Sequence, residues 1–174
     1  GDRLGLARDD RTYGYLPLFF NGGLVGVALA TLERGGAVLL QDVFDAGAAI
    51  RLMEAHRCSV FFGWPHQAEA IARHPTFDRA RLSLRKGPGA NAPWAPALLR
   101  DDHQCVGTWG MTETGPMAAC SHHAESFDVR RASHGRAMPG LEIRVVDENG
   151  RPLPAGASGE IAVRGSSLMR TYYR

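Results

Sequence analysis

Short apolar runs and stripes of apolar residues at helical spacing follow one another along the first half of the chain. Residues 37–40 and 59–62 are mostly apolar and only four residues long, which is typical of buried strands. Residues 24–34 carry Leu, Val and Ala at helical spacing and end before Gly35 and Gly36, a common helix C-cap. This pattern predicts a strand after the first helix and a second strand about twenty residues later.

Two further helix signals lie between and after these strands. Asp45 can cap a helix that runs to about Arg57, because its carboxylate can accept hydrogen bonds from the first backbone N–H groups. Pro65 suits the first turn of another helix, where its missing N–H has no cost. Strands that alternate with helices in this way predict an α/β fold with a doubly wound, mostly parallel sheet and flanking helices.

The pattern changes in the last quarter of the chain. Residues 141–146 and 159–165 show the period of two expected for half-buried strands, and Asp147 to Gly150 form a strong turn signal between them. Because no helical segment separates these strands, we expect them to be antiparallel. We place a subdomain boundary near Ser133, which divides the chain into residues 1–133 and residues 134–174.

Composition narrows the classes of function. The chain has 174 residues, 44% of them hydrophobic, and a formal net charge of +2. This balance gives no electrostatic argument for a nucleic-acid partner, and no apolar run reaches the length of a membrane span. The oligomeric state is not indicated by the sequence.

The three cysteines, Cys58, Cys105 and Cys120, are an odd number without zinc-type spacing, so we expect reduced thiols in a cytoplasmic protein. The sequence begins with Gly1 and not with methionine, and we interpret it as an excerpt of a longer protein. Lys86 is the one lysine among 20 Lys and Arg residues. Any lysine-dependent chemistry within this chain would therefore need Lys86.

The most informative segment is 108–116, Thr-Trp-Gly-Met-Thr-Glu-Thr-Gly-Pro. It follows the apolar residues 105–107, a candidate buried strand, and we expect the chain to turn at Gly110. Turns at the carboxyl ends of strands are where open α/β sheets bind ligands. The segment thus predicts a ligand-binding loop.

The side chains of this loop favour a nucleotide with a metal ion. Trp109 can stack on a flat ring, and Thr112 can donate a hydrogen bond to a phosphate oxygen. Glu113 can bind Mg²⁺, a cation that prefers oxygen ligands and often bridges a carboxylate and substrate phosphates. A second loop, residues 87–93, is rich in Gly and Ala, so its backbone can approach a ligand closely.

Residues 109–116 resemble the Tyr/Trp-Gly-x-Thr-Glu motif of the adenylate-forming superfamily, which includes acyl-CoA synthetases, firefly luciferase and adenylation domains of peptide synthetases. Further matches to the family follow along the chain in order. One of them is the Gly-Glu-Ile-x-Val-Arg-Gly segment at 159–165, and Thr171, which follows it, stands where the family usually has Gly. The resemblance implies that residues 134–174 begin a distorted β-barrel.

The resemblance also implies the reaction and the roles of individual residues. Members join a carboxylic acid to AMP with release of pyrophosphate, and a thiol, usually of CoA or a carrier protein's phosphopantetheine, then displaces AMP. The catalytic residues would be Thr112 and Glu113, with Glu113 as the Mg²⁺ ligand. The residues expected to bind ATP or AMP are Ala90, Asn91, Ala92, Pro93, Trp109, Gly110, Met111 and Thr112.

For the acid-binding pocket, the resemblance points to Phe20, Gly22, Trp64 and Met117, which suggest an apolar fatty or aromatic acid. Phe20 stands where the family usually has His, and its alternative interpretation is a plain core residue. The alternative for Trp64 is a core or surface-shielding residue. The family's phosphate loop, ribose-binding Asp and catalytic lysine have no match within residues 1–174. We therefore expect this chain alone to be inactive. A carrier-protein acceptor and a non-catalytic nucleotide-binding module remain alternative functions.

Overall fold

The computed structural model describes residues 1–100 and 102–173, and these contain eight strands. The strands are β1 (Arg11–Gly14), β2 (Ala37–Leu39), β3 (Val60–Phe62), β4 (Thr108–Met111), β5 (Gly115–Cys120), β6 (Arg136–Ala137), β7 (Leu141–Val146) and β8 (Glu160–Gly165). The helices are a π-helix (Gly22–Leu29), α1 (Ala30–Leu32), α2 (Ala46–Ala55), α3 (Pro65–Ala72), α4 (Ala95–Leu98) and α5 (Phe127–Ala132), with 3-10 turns at Asp2–Leu4 and Arg79–Arg81.

The first sheet is parallel, with the strand order β2-β1-β3. Single parallel bridges extend it from Val60 to Lys86 and from Pro88 to Val106. The carboxyl ends of all these segments therefore lie at one edge of the sheet and their amino ends at the opposite edge. The parallel sheet predicted from the sequence is confirmed.

Side chains of β3 show how the sheet separates two cores. Phe61 packs in the cluster beneath α2 and α3, whereas its neighbours Val60 and Phe62 pack in the cluster with Val27 of the π-helix. Successive residues of a strand point to opposite faces, so one buried strand contributes to both cores. Helices thus cover both faces, as the doubly wound fold requires.

Two predicted helix starts are confirmed. The Asp45 carboxylate accepts a hydrogen bond of 2.6 Å from Ala48 N–H and caps α2, and Pro65 is the first residue of α3. None of the helices in the described ranges is both long and apolar enough to cross a membrane.

The first predicted helix is present, but its buried face differs from the prediction. The helix begins at Gly22, and Ala30 N–H bonds Val25 C=O, the spacing of a π-helix. The leucines and valines at helical spacing, such as Leu24 and Leu29, are about half exposed. Gly22, Gly23 and Gly26 form the buried face together with Val27, and a Cβ on Gly23 would come within 2.1 Å of Pro17 O. Close backbone packing has replaced the expected apolar stripe.

The remaining strands are antiparallel. β4, β5 and β6 form one sheet, and β7 pairs with β8 along its whole length, from Leu141 opposite Gly165 to Val146 opposite Glu160. The antiparallel pairing predicted for the tail is confirmed, and its two strands form an open two-stranded sheet. The division near Ser133 stays a prediction.

The cysteines are free and buried among the described residues. Burial raises the pKa of Cys58 and of Cys105 to about 12, and that of Cys120 to about 11. Thiols with such pKa values are almost wholly protonated at neutral pH, and they act as small apolar core groups. This is the reduced state expected from the sequence.

Candidate functional site

The central motif forms the tip of the β4–β5 hairpin. β4 continues through Gly110 to Met111, so the turn expected at Gly110 is wrong, and the chain turns over residues 112–114. Gly110 is needed for a different reason, since a Cβ there would lie 2.7 Å from Gly115 O on the facing strand. Local turn statistics could not reveal this contact because it depends on strand pairing. Trp109 is half-buried on β4 opposite Ala119, and Thr112 and Glu113 lie in the turn.

Two segments distant in sequence hold the turn, one at Asn21 and the other at residues 167–169. The Asn21 side-chain amide donates to Thr112 O over 3.2 Å and ties the start of the π-helix to the motif. Ser167 Oγ donates to Thr114 O over 2.8 Å, and Met169 N–H donates to Glu113 O over 2.9 Å. These bonds fix the backbone through carbonyl oxygens, and they do not use the Thr112 hydroxyl or the Glu113 carboxylate.

Glu113 is half-buried, and one of its carboxylate oxygens accepts a hydrogen bond from the Tyr172 hydroxyl. That hydrogen bond, assisted by a backbone N–H, holds the pKa of Glu113 below its ordinary value, and the same bond raises the pKa of Tyr172. In the described part of the chain, Tyr172 is the one other residue whose side chain hydrogen-bonds this carboxylate. An ionised, half-exposed carboxylate fits one ligand position of Mg²⁺, whose other ligands would come from phosphates and water.

The Gly-rich loop lies beside the strand that leads into the motif. Gly89 N–H and Ala90 N–H both donate to Val106 O, over 2.9 and 3.1 Å, and Val106 N–H donates to Gly87 O over 3.0 Å. Gly87 and Gly89 have φ angles of 134° and 98°, which favour glycine. The two candidate nucleotide-binding segments therefore leave adjacent parallel segments at the same sheet edge.

Ala90 is buried, Ala92 is half-buried, and Asn91 and Pro93 are exposed. Ala90, Asn91 and Ala92 line a cavity of about 470 Å³ together with His103 and Phe127, and Trp109 is not among its lining residues. The structure thus places the loop and the Trp109 hairpin on neighbouring segments without enclosing them in one cavity.

The four residues expected in the acid pocket fall into two groups. The rings of Phe20 and Trp64 are 5.8 Å apart, and a Cβ on Gly22 would meet Phe20 Cε1 at 2.5 Å. Met117 instead lines an apolar cavity of about 230 Å³ with Val25, Gly26 and Met138. The first group is an aromatic wall near the π-helix, and the second is a cavity beside β5.

Asn21 and Tyr172 contribute to the site and were missed by sequence reasoning. Asn21 meets Thr112 across 91 residues of chain, and Tyr172 meets Glu113 across 59. Neither has a local pattern that marks it, because each is defined only by its partner. Lys86, in contrast, is buried against the Asp10 carboxylate at 2.6 Å.

Comparison with known proteins identifies the family of this chain. The sequence pattern of the family described as AMP-binding enzyme matches residues 1–173. The chain belongs to this family. It is a member of the adenylate-forming, acyl-CoA synthetase-like proteins, as the motif at 108–116 predicted.

Two enzymes of the AMP-binding family are similar to this chain in sequence. An indoleacetate–CoA ligase of Aromatoleum aromaticum is 34% identical over 97% of this chain and 34% of its own length. A feruloyl-CoA synthase of Amycolatopsis is 35% identical over 97% of this chain and 35% of its own length. The chain spans about a third of the length of these relatives.

A solved structure of the family, ATP-bound MatB from Rhodopseudomonas palustris, has a TM-score of 0.78 to this chain. It is 26% identical, and the match covers 99% of this chain and 35% of MatB.

Proposed function

We propose that this chain supplies the acid- and nucleotide-binding part of an AMP-forming carboxylic acid–CoA ligase. The observation that carries the proposal is the Thr112–Glu113 turn, whose backbone is fixed by Asn21 and Met169 while the Thr112 hydroxyl and the Glu113 carboxylate, the latter oriented by Tyr172, face a ligand. Its place next to the Gly-rich loop supports binding of a nucleotide between two adjacent loops at the carboxyl edge of a parallel sheet.

The proposed reaction has two steps. A carboxylate oxygen attacks the α-phosphorus of ATP, the bond to the β-phosphate oxygen breaks, and pyrophosphate leaves with the electron pair. The thiol of CoA then loses its proton to solvent, its sulfur attacks the acyl carbon, and AMP leaves with the electron pair of the broken bond between the acyl carbon and the phosphate oxygen. The first step brings two anions together, so it depends on positioning and charge neutralisation more than on acid–base chemistry.

Each residue of the site has a part in this scheme. Trp109 would stack on the adenine, and residues 90–93 would flank it. The Thr112 hydroxyl would donate to the α-phosphate. Glu113 would hold Mg²⁺, which neutralises phosphate charge when bound. For the acid, the aromatic wall of Phe20 and Trp64 favours a planar or apolar acyl group, in keeping with the indoleacetate and ferulate named for two relatives.

The nucleotide-binding proposal predicts a thermal shift. With ATP and Mg²⁺ at about 100 times the Kd, the Tm should rise by about 5 °C, because a ligand that binds only the folded state stabilises it. Glu113→Gln should remove the part of the shift that depends on Mg²⁺, and Glu148→Gln, in an exposed turn, should keep it. Absence of a shift with any nucleotide in the unsubstituted chain would contradict the proposal.

We expect the chain alone to show no acid-dependent exchange of labelled pyrophosphate into ATP. The one lysine of the chain is buried in an ion pair with Asp10 and is not available to the phosphates. We propose that the longer ligase provides the catalytic lysine and the phosphate loop from elsewhere. Exchange above background in the presence of indoleacetate or ferulate would refute this expectation, and the full ligase serves as the positive control.

A further inference from the structure

A polar cavity of about 450 Å³ lies at the amino-terminal edge of the parallel sheet, opposite the edge that carries Trp109 and Glu113. Its lining includes Arg11 at the start of β1, Ser59 just before β3, and Arg85 just before the Lys86 bridge. Arg57 and Arg100 complete a set of four arginines around it. The cavity is thus built by several parallel segments and not by one surface loop.

The arginines exceed the carboxylates around this arginine cavity. Among the described residues, Asp9 and Asp102 are the acidic lining residues, and Asp102 pairs with Arg100 at 3.4 Å. Arg85 has only a 3.9 Å contact with Asp10, whose carboxylate already binds Lys86. Within residues 1–100 and 102–173, the positive charge at the cavity is therefore larger than the charge that nearby carboxylates can balance.

Arg11 and Arg57 have no carboxylate within ion-pair distance in residues 1–100 and 102–173. Arg57 also has a φ angle of 51°, a left-handed conformation in which glycine is the favoured residue. With arginine at this helix end the fold is less stable than it would be with glycine. The Arg57 side chain therefore adds a positive charge to the cavity while its backbone is strained.

We propose that the arginine cavity binds a compact polyanion of the diphosphate class, at a site separate from the nucleotide-binding loops. Guanidinium groups match phosphate oxygens with paired N–H donors, and several of them around one concave space suit an anion with more than one charge. The cavity is large enough for a diphosphate with water. Open α/β folds usually bind ligands at the other sheet edge, so the nucleotide site does not account for this cavity.

Calorimetric titration with sodium pyrophosphate in buffer free of Mg²⁺ tests the proposal. The chain should bind pyrophosphate, more weakly as salt concentration rises. Arg57→Gly and Arg11→Gln should each weaken binding about tenfold, the effect expected for loss of one charge-assisted hydrogen bond. Arg151→Gln, an exposed arginine in the β7–β8 connection, is the matched control and should bind as the unsubstituted chain does.

Arg57→Gly has a second readout that separates binding from folding. Because glycine suits a φ of 51°, the Tm of this variant should equal or exceed that of the unsubstituted chain while binding falls. Glu113→Gln should leave pyrophosphate binding intact, since it lies at the opposite sheet edge.

ADP carries the same diphosphate group and identifies the source of the ligand. If ADP displaces pyrophosphate from the Glu113→Gln variant, the cavity accepts nucleoside diphosphates. If ADP does not displace pyrophosphate, the cavity prefers the free anion. Both results support the site as long as Arg57→Gly weakens pyrophosphate binding. Undetectable binding at millimolar pyrophosphate, or equal loss in Arg151→Gln and Arg57→Gly, would overturn the proposal.

Discussion

Lys86→Met should lower the free energy of unfolding at neutral pH by about 3 kcal/mol, because it leaves the buried Asp10 carboxylate without its cation. The Asp10 side chain is fully buried, and its carboxylate accepts hydrogen bonds from Lys86 Nζ, Ser59 Oγ and Ala7 N–H at 2.6, 2.6 and 2.8 Å. The Lys86 ammonium also donates to Gly5 O over 2.6 Å. Urea denaturation followed by circular dichroism measures the loss.

Two variants control this result. Arg85→Met removes an exposed arginine whose nearest carboxylate contact, with Asp10, is 3.9 Å, and it should cost less than about 1 kcal/mol. Asp10→Asn combined with Lys86→Met should recover part of the loss, because the asparagine keeps an acceptor without a buried charge. A loss in Lys86→Met no larger than in Arg85→Met would show that the ion pair does not stabilise the fold.

The pH dependence of the same variant has a definite sign. Burial by itself would raise the pKa of Asp10, but hydrogen bonds from Lys86, Ser59 and Ala7 outweigh it and hold the pKa below the ordinary value of 3.8. A lowered pKa stabilises the fold above the unfolded-state value, and this contribution is lost as pH falls through the folded-state value. In Lys86→Met, protonation of the unpaired carboxylate makes its burial cheaper, so the deficit against the unsubstituted chain should shrink toward pH 4.

Arg130→Met should lower the free energy of unfolding by about 3 kcal/mol, since it leaves buried carbonyl groups without donors. Arg130 is buried and lies on α5, where its guanidinium donates to His103 O at 3.2 Å, Cys105 O at 2.5 Å and Glu125 O at 2.9 Å. The His103 and Cys105 carbonyls belong to the segment that leads into β4. We therefore expect the nucleotide-induced thermal shift to weaken together with stability.

The neighbouring arginine provides the matched control. Arg131 is exposed, with its guanidinium 5.7 Å from the centre of the Phe127 ring, and Arg131→Met should cost less than about 1 kcal/mol. Arg130→Lys should recover only part of the loss, because an ammonium group cannot reproduce the planar set of donors. If the urea midpoints of Arg130→Met and Arg131→Met were equal within experimental error, Arg130 would not stabilise the fold through these carbonyl groups.

Where the sequence prediction succeeded, a short-range physical rule applied. Asp45 and Pro65 mark helix starts because capping and the missing N–H of proline act within one turn. The alternating residues of β7 and β8 pair antiparallel because no helix lies in the connection between them. The motif at 108–116 identified the family because its residues are consecutive.

The failures were contacts between distant segments. The glycines of the π-helix pack against the backbone near Pro17 and push Leu24 and Leu29 outward, which helical spacing alone does not reveal. Gly110 is a second example, since a Cβ there would collide with the backbone of β5. In both cases a missing Cβ is informative only when the opposing chain is known.

The sequence by itself determined the α/β class, the alternation of helices and strands from residue 24 to α3, and the chemical groups of the candidate nucleotide-binding motif. Tertiary structure alone decided the partners of the polar side chains in the motif and elsewhere. Tyr172 hydrogen-bonds Glu113, Asn21 hydrogen-bonds Thr112, and Asp10 pairs with Lys86. The physical reason is that propensity, capping and periodicity act over a few residues. Hydrogen bonds and ion pairs between segments 59 to 91 residues apart exist only once the parallel sheet and the hairpin have brought those segments together.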